Sequence, residues 1–293
     1  MRSSRIVRTA GLLVALLTAS LSPAAGASHM LWVVPGASNT VYLVGSLHLM
    51  KPEGYPLPEC IEAAFRDSAV LVTEIDLASL ADSRGQAELR ARGQLPAGKH
   101  LAEVISTGSY AAARSRLAAM GAPAALIDTS QPWLAAMSLT VLKLKQLGYD
   151  PANGIDAYFD GQARRQGKPV LGLETAQGQF ALFDGLSASN QEALLDYTVG
   201  ELDLLDAEAG KLVTAWGEGN TVGVESILLE GFAAFPHLEQ VLLTDRNRAW
   251  AKALEPFLRD SRNYFVVVGV AHLVGAEGLA ALLRKQGYAV RQN

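Results

Sequence analysis

The chain has 293 residues, carries a formal net charge of −4 at pH 7, and is 49% hydrophobic. This composition supports a sizeable core in one or two domains. No cluster of Lys and Arg is interleaved with aromatic residues, which argues against nucleic acid as a partner. The single cysteine, Cys60, excludes an intramolecular disulfide.

The first segment has the features of an export signal. Three arginines precede an apolar run over residues 11–21, and Ala25-Gly26-Ala27 fits the small-x-small rule for cleavage. Because a bilayer-spanning helix needs about 20 apolar residues, we expect residues 1–27 to be removed as a signal peptide. Residues 28–293 would then form one domain, periplasmic or secreted, without a stable membrane span. An uncleaved signal anchor is the alternative.

The mature part opens with strand-like runs at residues 31–34 and 40–45, joined by a turn with Pro, Gly, Ser and Asn. The second run leads into Gly45-Ser46-Leu47-His48. A helix over residues 58–67 follows, and the next apolar run ends at Glu74. This β-loop-α-β order is typical of parallel strand pairing.

The pattern after Glu74 is mainly helical. Hydrophobic spacing predicts helices over residues 77–92, 110–120, 133–147 and 155–166. A strand from Pro169 then ends at Glu174. The remaining predicted elements are helical stripes after Glu174, a helix that begins at Thr244-Asp245, a strand over 264–269, a helix over 277–285 and a closing strand near 288–291.

Two histidines and two glutamates follow the ends of apolar runs. His48 and His272 both belong to a Gly-x-x-His-Leu pattern, whereas Glu74 and Glu174 each end a run directly. Catalytic and ligand residues of α/β proteins tend to lie on the turns after such strands. We therefore expect these four side chains to share one cleft.

The chemistry of such a cleft has two interpretations. Imidazole and carboxylate ligands suit a divalent ion such as Mn, Co or Zn, which activates a bound water. Without a metal, one histidine oriented by a glutamate would act as general base. Arg246, at the start of a predicted helix, is suited to stabilising an oxyanion. Asp156 is interpreted first as a first-turn partner of another helix dipole and only secondarily as a site residue.

In these segments the chain resembles the TraB/GumN (TraB/PrgY/GumN) family, which is related to the Tiki metalloproteases. The matching segments run through nearly the whole mature chain in family order: Leu31-Trp32, Gly45-Ser46-Leu47-His48, Glu74, residues 154–156 to 172–175, Asp245-Arg246-Asn247, and residues 268–273 with Gly275. The resemblance implies an α/β fold of two small sheets in pseudo-twofold-related halves, surrounded by helices. It is a fold allied to erythromycin-esterase-like and ChaN-like proteins.

The resemblance also implies a metal-dependent peptidase. By motif, His48, Glu74, Glu174 and His272 would hold the metal, Glu74 would be the general base, and Arg246 would stabilise the oxyanion. We therefore predict an exported metal-dependent hydrolase that acts on a peptide or another small substrate. Two alternatives stay open: a non-catalytic binding protein for a peptide or haem-like ligand, and a metal-free His/Glu hydrolase of the esterase type.

The export signal is directly testable. We expect the protein expressed with its leader in a Gram-negative host to be recovered from the periplasm with an N-terminus near Ser28, as measured by intact mass spectrometry. A full-length chain that stays in the cytosol would contradict this expectation.

Overall fold

The structure is a computed structural model that describes residues 28–232 and 235–293. The predicted signal peptide, residues 1–27, lies outside these described residues. The strands are β1 (Leu31–Pro35), β2 (Thr40–Ser46), β3 (Val70–Thr73), β4 (Val170–Gly172), β5 (Tyr264–Gly269) and β6 (Arg291–Gln292). The helices are α1 (Glu59–Asp67), α2 (Leu77–Ala81), α3 (Ser83–Gly93), α4 (Leu101–Val104), α5 (Thr107–Ala119), α6 (Pro132–Gln146), α7 (Ile155–Arg165), α8 (Ala176–Asp184), α9 (Ala188–Glu201), α10 (Leu205–Gly217), α11 (Thr221–Glu230), α12 (Pro236–Glu239), α13 (Asp245–Arg259) and α14 (Leu279–Lys285).

The strands form a six-stranded mixed sheet in the order β4-β3-β5-β2-β1-β6. Strand β5 lies between β3 and β2 and is parallel to both, and β4 is parallel to β3. Strands β1 and β6 extend the sheet with antiparallel pairing. The carboxyl ends of β2, β3, β4 and β5 therefore meet at one edge of the sheet.

The predicted α/β class is confirmed, but the expected division into two small sheets is wrong. Strand β5 pairs with β2 on one side and with β3 on the other. The strands from the two halves of the chain are thereby joined into one hydrogen-bonded sheet. The apolar runs in the sequence could not predict this single sheet, because a run does not indicate which distant run it pairs with.

Helices cover both faces of the sheet around β5. Phe265 points to one face, where its ring centroid lies 5.3 Å from Phe65 of α1 and 4.6 Å from Phe159 of α7. The preceding residue, Tyr264, points to the other face and stacks on Phe257 of α13 at 4.6 Å. Since successive side chains of a strand alternate between faces, the central strand is enclosed by two helical layers, and every residue of β5 is buried.

A second apolar cluster lies in the helical region between β3 and α10. Its fully buried members include Leu101 of α4, Leu139 of α6 and Leu195 of α9. The predicted helix over residues 77–92 is divided here into α2 and α3. Asp82 is extended at the junction, and its side chain accepts a hydrogen bond from the amide of Gly85, so a capping residue interrupts the helical pattern.

The apolar run before Glu174 forms an edge strand and not a buried one. Strand β4 pairs only with β3 among the described strands, and Leu171 is 40% exposed. None of the helices in the described ranges combines the length and the apolar character needed to cross a bilayer.

The enclosed position of β5 predicts a large difference between two Val→Ala substitutions. Val266 is fully buried in β5, whereas Val222 on α11 is 74% exposed. We expect Val266→Ala to lower the free energy of unfolding by about 2 kcal/mol or more, because both methyl groups leave a cavity. Val222→Ala should change it by less than about 0.5 kcal/mol. Urea unfolding measures both, and equal effects would contradict the described core.

Candidate active site

The four predicted side chains lie together at the carboxyl edge of the sheet. Glu74 lies between the two imidazoles, with Oε1 3.7 Å from Nε2 of His48 and 3.8 Å from Nε2 of His272. Glu174 is held beside Glu74 because its amide donates to the Glu74 carbonyl at 2.9 Å, which continues the parallel pairing of β3 and β4. Together with Arg246, these residues are called the polar centre below.

Arg246 links the members of the polar centre. Its Nη2 donates to Oε2 of Glu74 at 2.7 Å and to Oε1 of Glu174 at 2.6 Å, and its Nε donates to Oε2 of Glu174 at 3.3 Å. Its Nη1 donates to the carbonyl of Leu242 at 2.8 Å and to Nε2 of His272 at 3.1 Å. Every N–H of the guanidinium is therefore engaged.

A glycine forms the floor of the polar centre. The amide of Gly269, the last residue of β5, donates to Oε1 of Glu74 at 2.7 Å. A Cβ at this position would lie 3.0 Å from Nε2 of His48 and 3.2 Å from Oε1 of Glu74. The close approach of two functional side chains to the backbone thus requires the glycine of the second Gly-x-x-His pattern.

The sequence model of the TraB/PrgY/gumN family matches residues 30–292. The chain belongs to this family. Its relatives include the YbaP proteins of Shigella flexneri and Escherichia coli strain K12, each 28% identical over 262 residues that cover 88% of this chain and 94% of the relative. Both carry the description "uncharacterized", so their names imply no activity. Among solved structures, none matches the chain.

The histidine of the second Gly-x-x-His pattern, His272, is buried and held in one tautomer. Its Nδ1 lies 2.6 Å from Oδ1 of Asn247, and the amide nitrogen of Asn247 donates to the carbonyl of Glu277 at 2.9 Å. Nδ1 therefore carries the proton, and Nε2 accepts from Arg246. Burial, together with the charges of Arg246 and His48, lowers the pKa of His272 to about 3 despite Glu74. This imidazole is neutral at physiological pH.

The histidine of the first Gly-x-x-His pattern, His48, is the more accessible of the two. Its side chain is 52% exposed, and its Nδ1 lies 3.3 Å from Oδ2 of Asp156 and 3.4 Å from Oγ of Ser46. Desolvation alone would lower the pKa of His48, but the negative charges of Asp156 and Glu74 outweigh it and raise the pKa to about 9. The ring is thus oriented by one carboxylate and faces a second.

The two glutamates differ in acidity. Burial raises the pKa of Glu74, but the charges of Arg246 and His48 and the hydrogen bond from the Gly269 amide outweigh burial and hold the pKa below its ordinary value. For Glu174, burial and the adjacent Glu74 charge raise the pKa, against the effect of Arg246. Gln179 of α8 donates to both carboxylates, at 3.1 Å and 3.2 Å.

Three residues of the site were not predicted as such: Asp156, Asn247 and Gln179. The first was interpreted chiefly as a helix-dipole partner and only secondarily as a site residue. Helix α7 nevertheless begins against the first Gly-x-x-His turn, where the amide of Ile155 donates to the Leu47 carbonyl at 3.1 Å. Asn247 follows Arg246 directly and was visible only as part of that segment. No sequence motif indicated Gln179, because it lies within an ordinary helix.

The donor set does not fit a divalent metal in this arrangement. Arg246 occupies both oxygens of Glu174, one oxygen of Glu74 and Nε2 of His272. A cation bound to these atoms would have to displace a guanidinium that already satisfies them. Within the described residues, no group of three or more His, Cys, Asp or Glu side chains is placed to hold a metal ion. The metal-ligand role of His48, Glu74, Glu174 and His272 stays a prediction, and it would require Arg246 to give up these contacts.

The pairing of His48 with Asp156 predicts a measurable change in acidity. We expect Asp156→Asn to lower the pKa of His48 from about 9 towards the ordinary value, about 6.5, because the neutral amide no longer favours the imidazolium. NMR titration of the histidine ring protons measures this, with His48→Ala used to assign the signal.

Asp160→Asn is the matched control for this titration. Asp160 lies one turn further along α7 and pairs with Arg164 and not with the polar centre. It should leave the His48 titration unchanged. Equal shifts in both variants would contradict a specific contact between Asp156 and His48.

Proposed function

We propose that the chain is an exported hydrolase that attacks an acyl carbon, in a peptide or another small substrate, with water activated by His48. The observation that carries this proposal is the His48–Asp156 pair. The imidazole is exposed, and a carboxylate lies 3.3 Å from its Nδ1. Its other ring nitrogen, Nε2, faces Glu74 of the polar centre. A histidine oriented in this way is a common general base.

His48 suits the role of base better than Glu74 does. Both oxygens of Glu74 already accept hydrogen bonds, from Gly269 and Arg246, and its low pKa makes it a weak base. Nε2 of His48 lies 3.7 Å from Glu74, beyond hydrogen-bond distance, and is free to contact a water. In this proposal His48 takes the general-base role that the sequence predicted for Glu74, and Glu74 stabilises the imidazolium that forms.

In the proposed reaction one side chain, His48, first accepts and then donates the same proton. Neutral His48 takes a proton from water as the oxygen attacks the acyl carbon. The imidazolium then gives that proton to the leaving group as the acyl bond breaks, which yields a carboxylic acid and an amine or alcohol. The positive charge of Arg246 favours the developing oxyanion. Because every N–H of Arg246 already donates a hydrogen bond, a direct contact between Arg246 and the oxyanion would require Arg246 to release one of its present acceptors.

Two cavities meet at the polar centre and leave room for a substrate. One has a volume of about 350 Å³ and the other about 590 Å³, and both are lined in part by His48, Arg246 and His272. These volumes lie within the range of small-ligand sites, about 300–1,000 Å³. The arrangement supports a substrate that passes over His48 with one part in each cavity.

Turnover without added metal tests the proposal. We expect wild-type protein to cleave members of a peptide library or of a neutral p-nitrophenyl ester series in the presence of EDTA. His48→Ala should lower kcat/KM by about 10²–10⁴-fold, because the general base is lost. Since the base must be neutral, kcat/KM should rise with pH up to the His48 pKa of about 9.

Cys60→Ser is the control for this assay. Cys60 is partly buried on α1 and does not line either cavity. The Cys60→Ser variant should therefore cleave substrate at the wild-type rate. Activity that appears only with Mn²⁺, Co²⁺ or Zn²⁺ and is lost in EDTA would replace this mechanism with the metal-dependent one. Protein that cleaves nothing yet binds a peptide or haem-like ligand would support the binding-protein alternative.

A further inference from the structure

We propose that the smaller cavity binds the straight apolar chain of a neutral acyl compound whose carbonyl lies at the polar centre. The inference rests on the proposed function for the position of the scissile carbonyl. Binding of the chain itself is measurable without turnover.

The walls of the smaller cavity are mostly apolar, formed by aliphatic side chains and by the rings of Phe183 and Phe232. They include Leu212 and Val213 of α10, Leu228 of α11, Leu144 of α6, and Leu242 before α13. Its polar lining consists of Tyr149 and of the side chains where it meets the polar centre, namely Ser46, His48, Arg246 and His272. A ligand group inside it gains from apolar burial and finds few partners for polar atoms.

The charges at the inner end of the cavity favour an uncharged ligand. Arg246 and His48 line this end of the cavity. Three carboxylates outside its lining, those of Glu74, Asp156 and Glu174, already pair with them, so the cluster as a whole has no excess of positive charge. A free fatty acid would bring a further carboxylate to this cluster, whereas an ester or amide carbonyl carries no net charge. We therefore assign the site to neutral esters or amides.

The larger cavity suits the remainder of such a compound. It shares His48, Arg246 and His272 with the smaller one and adds the polar groups of Asp156 and Gln179. A substrate with its apolar chain in the smaller cavity would place its leaving group in this larger cavity, beside Asp156 and Gln179. The carbonyl would then lie beside His48, where water is activated.

The cavity volume sets the length of the chain. At about 30 Å³ for each group of the size of a water molecule, a cavity of about 350 Å³ holds a chain on the order of ten carbons. Affinity should therefore increase with chain length and level off once the cavity is filled.

Calorimetric titration with N-methyl alkanamides of increasing chain length tests this inference. These probes are neutral, contain one carbonyl, and differ only in their methylenes. We expect the dissociation constant for wild-type protein to fall about fourfold per added methylene and to become constant on the order of ten carbons. A dissociation constant that does not depend on chain length would overturn the inference.

Two substitutions on α10 form a matched pair. Ala209 lines the cavity, whereas Ala207 on the same helix is exposed. Ala209→Phe should fill part of the cavity and move the plateau to shorter chains, and Ala207→Phe should leave it at the wild-type length. If Ala209→Phe does not fold, as judged by circular dichroism, Leu228→Ala carries the test and should move the plateau to longer chains.

The titration and the turnover assay fail separately. Chain-length-dependent binding by protein that hydrolyses no ester or amide would support this cavity assignment and contradict the proposed hydrolase. Hydrolysis with an affinity and a kcat/KM that do not depend on chain length would support the proposed hydrolase and contradict this cavity assignment. A plateau unaffected by both Ala209→Phe and Leu228→Ala would place the chain outside this cavity and overturn the inference.

Discussion

The guanidinium of Arg246 is the interaction on which the polar centre depends. It donates to Glu74 and Glu174, two carboxylates that are largely buried side by side. Without this charge, at least one of them would bind a proton or turn towards water, because like charges in a desolvated site cannot both stay ionised. The same guanidinium donates to His272 and lies 4.6 Å from the ring centroid of Trp250. One side chain thus organises the acids, a neutral imidazole and an aromatic wall.

The sheet supplies the second constraint. Parallel pairing of β5 with β2 and β3 brings both Gly-x-x-His turns and the Glu74 turn to one edge, although the turns are far apart in sequence. Helices cover both faces, so groups at this edge lie partly out of water, where charges interact more strongly. The centre consequently has a buried, fully hydrogen-bonded inner part and one exposed member, His48. This division leaves His48 as the member of the centre that is exposed to solvent, and the proposed general-base role is assigned to it for that reason.

Much of the site could be predicted from particular residues. The Gly-x-x-His patterns and the two run-ending glutamates indicated four residues that the structure brings together, and the start of a predicted helix indicated Arg246. The role of Asp156 was missed, since its proximity to His48 comes from the docking of α7 on the Leu47 carbonyl. The saturation of Arg246 was also not predictable. A sequence shows that an arginine is present but not how many hydrogen-bond acceptors surround it in the folded protein.

Local patterns in the sequence were sufficient for the α/β class, the approximate limits of most elements, the identity of the four strand-end residues and membership of a family. These features depend on periodicity, turn residues and motifs, all of which act over short stretches of chain. Only the tertiary structure decided that one sheet forms where two were expected, that β4 lies at its edge, and that Arg246 occupies the acceptors predicted to hold a metal. These outcomes depend on pairing and charge contacts between residues distant in sequence, as between Glu74 and Arg246, and such contacts exist only once the chain has folded.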